Sequence, residues 1–126
     1  MTTAYLDTHT LVWLYAGATE RFAAEGQQVI ETHDLLISPM ALLEVQYLYE
    51  KGVVTVTPDT LFAELAQTIG VAVCTVPFAM VSRAAFGLGW TRDPFDRLIV
   101  AQAMVHARPL VSKDQLIAQN YPHTVW

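Results

Sequence analysis

The sequence predicts a three-layer α/β sandwich: a central, mainly parallel sheet of four to five strands flanked by helices. Three observations lead there. Strand-like segments alternate with helix-like ones along the chain, the order that builds βαβ units. The strand segments are unbroken apolar runs such as Leu35-Leu36-Ile37 and Val71-Ala72-Val73-Cys74-Thr75-Val76, as expected of strands covered on both faces, whereas a half-solvated antiparallel strand alternates. Finally, 126 residues, 53% of them hydrophobic and 15% charged, suffice for one core and leave no room for a second. One domain over residues 1 to 126 is expected.

Each element has its local reason. Ala4-Tyr5-Leu6 reads as the first strand, after which Asp7 or Thr8 caps a helix around Leu11-Val12-Trp13-Leu14. Residues 20 to 32 carry a weaker helical pattern, and Leu35-Leu36-Ile37 is a buried strand. Ser38-Pro39 then opens a helix that runs to Lys51-Gly52: the serine side chain satisfies a free backbone N–H, and proline has none to lose in the first turn. Val53 to Val56 reads as a short strand or an extended connection. Thr57-Pro58-Asp59 starts a helix through Ile69 that Gly70 ends. After the strand Val71 to Val76 come two helices, Pro77 to Leu88 and Pro94 to His106, parted by Gly87, Gly89 and the Asp93-Pro94 start signal. Leu110-Val111 and an edge strand at His123-Thr124-Val125 complete the sheet.

Composition narrows the function. A net charge of −5 argues against a broad basic surface for nucleic acid, yet the charge is unevenly placed. Residues 1 to 80 hold nine acids and two bases, residues 81 to 126 three acids and five bases, so the last third is able to face an anion. The one cysteine, Cys74, lies in an apolar run and reads as a buried reduced thiol. The N-terminus lacks a signal-peptide pattern, and no 18-residue uncharged apolar stretch occurs, so a soluble cytoplasmic protein without membrane contact is expected. There is no internal repeat, linker or low-complexity tract.

Four carboxylates stand in places that ordinary folding explains incompletely. Ligands of open parallel sheets bind at the carboxyl ends of strands. Asp7 ends the first strand, and Asp114 follows Leu110-Val111-Ser112-Lys113. Each also has a plain alternative as a helix cap. Glu44 has Met40, Ala41, Tyr47 and Leu48 three and four positions away, and an unpartnered carboxylate on an apolar face costs several kcal/mol. It must be paired, protonated, bound to a metal, or escape to solvent at the edge of the face. Asp96 shares the face of Ile99 and Val100, while capping accounts well for Asp93. Were Asp7, Glu44, Asp96 and Asp114 to meet at a mean separation of about 8 Å, mutual repulsion would be on the order of 12 kcal/mol. That rivals the stability of a small domain. A divalent cation relieves it, and oxygen-only ligands select Mg2+ or Mn2+ over zinc. Carboxylates holding hydrated ions suit phosphodiester hydrolysis.

Other conspicuous residues add no rival chemistry. His9, His33, His106 and His123 lack metal-ligand spacing, and Trp13, Trp90 and Trp126 are scattered in the manner of core or interface residues. No Gly-rich phosphate loop, GxSxG elbow or Cys/His nucleophile arrangement occurs.

At these residues the sequence resembles the PIN domain family, and more closely its VapC-type toxin nucleases of bacterial toxin-antitoxin pairs. Leu6-Asp7-Thr8-His9 is similar to the family's opening strand with its first acid, and Ser38-Pro39 with Glu44 to the second. Arg92-Asp93-Pro94-Phe95-Asp96-Arg97-Leu98-Ile99-Val100-Ala101-Gln102-Ala103 is the most specific match, with Asp96 as the third acid and Asp93 as an accessory one. Leu110-Val111-Ser112-Lys113-Asp114 resembles the strand that ends in a hydroxyl residue, a basic residue and the fourth acid. The resemblance implies a Mg2+- or Mn2+-dependent endoribonuclease, the toxin of a type II pair. Asp7, Glu44, Asp96 and Asp114 would be its metal-binding catalytic acids, with Thr8 and Ser112 orienting carboxylates or water. It implies RNA as substrate and a cognate antitoxin as partner. Homodimerisation is expected from the resemblance and from the apolar surplus of so short a chain. Two other readings share the layout: a receiver-like Mg2+-binding signalling module and a catalytically silent binding module on the PIN fold. Residues 53 to 90 carry no transferable motif.

Overall fold

The computed structural model describes residues 2–126. Five strands, β1 (Thr3–Leu6), β2 (Asp34–Ile37), β3 (Ala72–Val73), β4 (Leu110–Val111) and β5 (Thr124–Val125), form one sheet in the order β3-β2-β1-β4-β5. All four pairings are parallel. Ala4, Tyr5 and Leu6 are all buried, although successive side chains of a strand point to opposite faces. The central strand is therefore covered on both sides, which is why its sequence lacks polar alternation.

The helices are α1 (Thr8–Tyr15), α2 (Ala24–Thr32), α3 (Pro39–Glu50), α4 (Pro58–Ile69), α5 (Phe78–Ala85), α6 (Pro94–Met104) and α7 (Gln115–Asn120). The expected start signals act as read. Ser38 accepts the Met40 amide at 3.1 Å, Thr57 accepts that of Thr60 at 3.3 Å, and Gly70 closes α4 in the left-handed region at φ +73°. The core is built of fully buried aliphatics, among them Leu6, Leu11, Ile37, Val45, Ile99, Val100, Leu110 and Val111. Cys74 is buried and free, its Sγ 3.0 Å from the Tyr5 hydroxyl.

Several boundaries differ from the sequence expectation. Residues 20 to 32 divide into a short 3-10 turn, Thr19–Arg21, and α2, because Phe22 turns extended and buries its ring against Trp126. Val53 to Val56 joins no strand; the segment is a connection with Val54 tucked inward. The run Val71 to Val76 pairs only through Ala72 and Val73, since its partner β2 ends at Ile37, opposite Val73, where Ser38 opens α3. Helix α5 stops at Ala85 and α6 at Met104, short of the expected Leu88 and His106. Arg97 explains the former end: its guanidinium donates to the carbonyls of Ala85, Thr91 and Phe86, and so anchors the loop leaving α5.

Candidate active site

The chain order of the sheet reverses between β1 and β4, the switch point where open parallel sheets take their ligands. Tyr5 pairs with Leu110 and Leu6 with Val111, which places Asp7 level with Ser112 just beyond the strands. Two bonds lock this rim. The Asp7 amide donates to the Val111 carbonyl at 3.3 Å, and the Thr10 hydroxyl donates to the same carbonyl at 2.9 Å.

Each acid arrives on its own element. Asp7 caps α1, its Oδ1 accepting the Thr10 amide at 2.9 Å, and Asp114 caps α7, its Oδ1 accepting the Ile117 amide at 3.0 Å. The Ser112 hydroxyl in turn accepts the Asp114 amide at 3.1 Å. Capping and site membership thus coexist, because a cap occupies one carboxylate oxygen. Glu44 neither meets an arginine among its hydrogen-bond partners nor stands alone: half-buried on α3, it accepts the Thr8 hydroxyl at 2.5 Å on Oε1. Asp96 lies half-buried in the first turn of α6, and exposed Asp93 caps that helix, accepting the amides of Phe95 at 2.8 Å and Asp96 at 3.4 Å.

One open cavity of about 370 Å³ gathers them. It is lined by Asp7, Glu44, Asp93, Asp96 and Asp114, together with Thr8, His9, Trp13 and Lys113. Ser112 stays behind the wall, buried, where its hydroxyl favours the charged form of the Asp7 carboxylate. Burial pushes the Asp7 carboxyl above the usual carboxylate range, opposed in part by hydrogen bonds from Ser112 and Thr10. The Asp96 carboxyl is pushed up to about 7, first by burial and then by the charges of Asp93, Asp114, Glu44 and Asp7. That dependence ties all five acids to one electrostatic site.

The donor set suits a hard divalent cation: it is all oxygen, its charges repel one another, and an ion relieves the burden on Asp96. Among the described residues no three acidic, imidazole or thiol side chains make a ready metal cage. His9, Trp13 and Lys113 escaped the sequence reading as wall residues. Their signal was adjacency: His9 follows Asp7 by two positions and Lys113 precedes Asp114. Of the five bases in the last third, Lys113 alone lines the cavity.

Fold and site together define a class: a parallel α/β protein with an acid-lined cleft at the sheet's switch point. Within that class the chain belongs to the PIN domain family, whose model matches residues 4–121. It is 30% identical over its whole length to the Ribonuclease VapC22 of Mycobacterium tuberculosis (strain ATCC 25618 / H37Rv), which it also covers completely. The fold resembles a solved toxin-antitoxin complex from Klebsiella pneumoniae, with a TM-score of 0.67 at 19% identity over 98% of this chain and 96% of that one. It also resembles VapBC2 from Rickettsia felis bound to a promoter DNA fragment, with a TM-score of 0.66 at 16% identity and the same coverage. The receiver-like expectation is set aside by topology, for a receiver has strand order 2-1-3-4-5 whereas here β1 is central between β2 and β4.

Proposed function

We propose that this protein is a Mg2+- or Mn2+-dependent endoribonuclease, the toxin of a type II toxin-antitoxin pair. The observation that carries the chemistry is the meeting of Asp7, Glu44, Asp96 and Asp114 on one cavity, where Asp96 feels every other acid. The VapC ribonuclease relative supplies RNA as the substrate class. Asp7, Glu44, Asp96 and Asp114 would hold the cation, which when bound activates water for attack and neutralises charge on the phosphate. The chain's other groups fix those acids. The Thr8 hydroxyl donates to Glu44 and the Thr10 amide donates to Asp7, and each bond restricts a carboxylate that would otherwise swing.

The test is direct. Purified protein with Mg2+ or Mn2+ should cut single-stranded RNA internally, and intact RNA after prolonged incubation would overturn the reading in favour of a silent binding module. Asp93→Asn keeps an equally good helix cap, so it should leave the fold intact and lower kcat by no more than about tenfold. If it were as damaging as Asp96→Asn, the division between a capping acid and a ligand acid would be wrong.

The VapBC and toxin-antitoxin complexes among the structural neighbours support a cognate antitoxin as partner. An antitoxin Arg or Lys placed among the acids would satisfy them as a cation does, with inhibition then competing against metal. Exposed Phe78, Met80 and Phe86 favour a homodimer that covers them. Among the described residues no helix is long and apolar enough to cross a membrane, consistent with action in the cytoplasm.

A further inference from the structure

We propose that Lys113 is the phosphate-holding residue of the cleft, its ammonium clamped by the indoles of Trp13 and Trp126 and offered to a backbone phosphate of the RNA strand. The inference rests on the ribonuclease reading. An RNA strand brings one negative charge per nucleotide into a cavity lined by five carboxylates. Something positive has to meet the strand, and Lys113 is the lysine on that wall.

The clamp has a geometry suited to the task. Lys113 Nζ lies 6.0 Å from the centroid of the Trp13 ring and 5.9 Å from that of Trp126. Aromatic faces attract an ammonium through their quadrupoles, but they carry no net charge. The lysine is therefore oriented without being neutralised. A carboxylate partner would hold it equally well and cancel the charge that the phosphate requires. A free surface lysine loses rotamer entropy when it binds, and the two rings remove part of that freedom before substrate arrives.

The rings are themselves held in place. Trp126 packs edge-on against Trp13 at 5.4 Å and lies tilted against Phe22 at 4.9 Å, and its carbonyl accepts the Gly26 amide at 2.8 Å. A Cβ on residue 26 would stand 2.5 Å from the Trp126 carbonyl carbon, so α2 admits Trp126 only because a glycine faces it. The backbone beneath the lysine is fixed by the Ser112 amide, which donates to the Val125 carbonyl at 2.9 Å. Arg21 brings its guanidinium to 5.2 Å from the Trp13 ring, which adds a second positive charge on the same flank.

The experiment uses the whole protein, Mg2+ and a short fluorescent single-stranded RNA. Lys113→Gln should raise KM about tenfold with kcat nearly unchanged, the effect of losing one charged hydrogen bond made equally in ground and transition states. In an Asp96→Asn background, anisotropy titrations should show the slope of log Kd against log salt falling by about 0.7 on adding Lys113→Gln. Lys113→Arg should restore most of KM. Trp126→Leu keeps the lysine and removes one ring, so it should raise KM while leaving the salt slope unchanged. Because Lys113 is exposed, its variants do not depend on repacking the core, and equal melting temperatures check this. KM and salt slope indifferent to Lys113→Gln, in a protein that cleaves RNA, would overturn the clamp alone. An unsubstituted protein that neither binds nor cleaves RNA would overturn the ribonuclease reading beneath it.

Discussion

Asp96→Asn should lower kcat for RNA cleavage at least about a thousandfold, a barrier increase of about 4 kcal/mol, and should stabilise the metal-free fold. Both effects come from one position. Asp96 is half-buried and its carboxyl is pushed up to about 7 by burial and by Asp93, Asp114, Glu44 and Asp7. A folded-state value above the unfolded one near 3.9 means that the native protein holds this proton more tightly. The penalty is absent below about pH 4, grows as pH rises to about 7, and is constant above. Solvent screening at a half-exposed group reduces it to the order of 1–2 kcal/mol, a shift of several degrees for a domain of this size. Asparagine cannot ionise, so it escapes the penalty while losing the ligand charge. Melting curves of both proteins in EDTA at pH 4 and pH 8 check the sign: the variant's advantage should appear at pH 8 and be absent at pH 4. A variant less stable than the parent at pH 8 would mean that Asp96 is a structural residue.

Much of this site was legible because its residues break local rules. Glu44 on an otherwise apolar face and Asp96 beside Ile99 and Val100 are costly choices that folding alone does not demand, and both line the cavity. Asp7 and Asp114 were harder to read, since each obeys a rule: each is a sound helix cap. Only the pairing of β1 with β4, established by register, brings those caps to one rim.

What stayed hidden depends on contacts distant in sequence. The Trp13–Trp126 pair joins residues near the two ends of the chain, and no periodicity reports it. Gly26 carried no turn signal because its role is room for the Trp126 backbone within a helix, not a positive φ. The strand expected at Val71 to Val76 contracted to two paired residues for a related reason: apolar content describes burial, and Val71 is buried while its amide bonds the Leu65 carbonyl of α4 and not a strand. Arg97 counted among the five bases of the last third, and its charge says nothing of the three backbone carbonyls that occupy it.

Removing divalent metal should abolish RNA cleavage, and the same ions should stabilise the protein in a pH-dependent way. In excess EDTA the rate should fall by at least about a thousandfold, because the acids then repel the phosphate and leave no group to activate water. With Mg2+ or Mn2+ restored at pH 8, binding to the folded state alone adds about 2.7 kcal/mol when the ion is present at a hundred times its Kd. The gain should shrink toward pH 4. Protons compete for the same oxygens, and they compete unusually well here because the carboxyls of Asp7 and Asp96 are both raised. Melting temperatures with and without metal across that range separate this site from adventitious binding to exposed carboxylates, whose ordinary affinity for protons would keep the gain intact down to about pH 5. Full cleavage in EDTA would end the metal mechanism. A metal-induced rise in melting temperature that survives Asp96→Asn undiminished would place the ion away from the cleft, and the repulsion among these acids would then have to be relieved by another positive group.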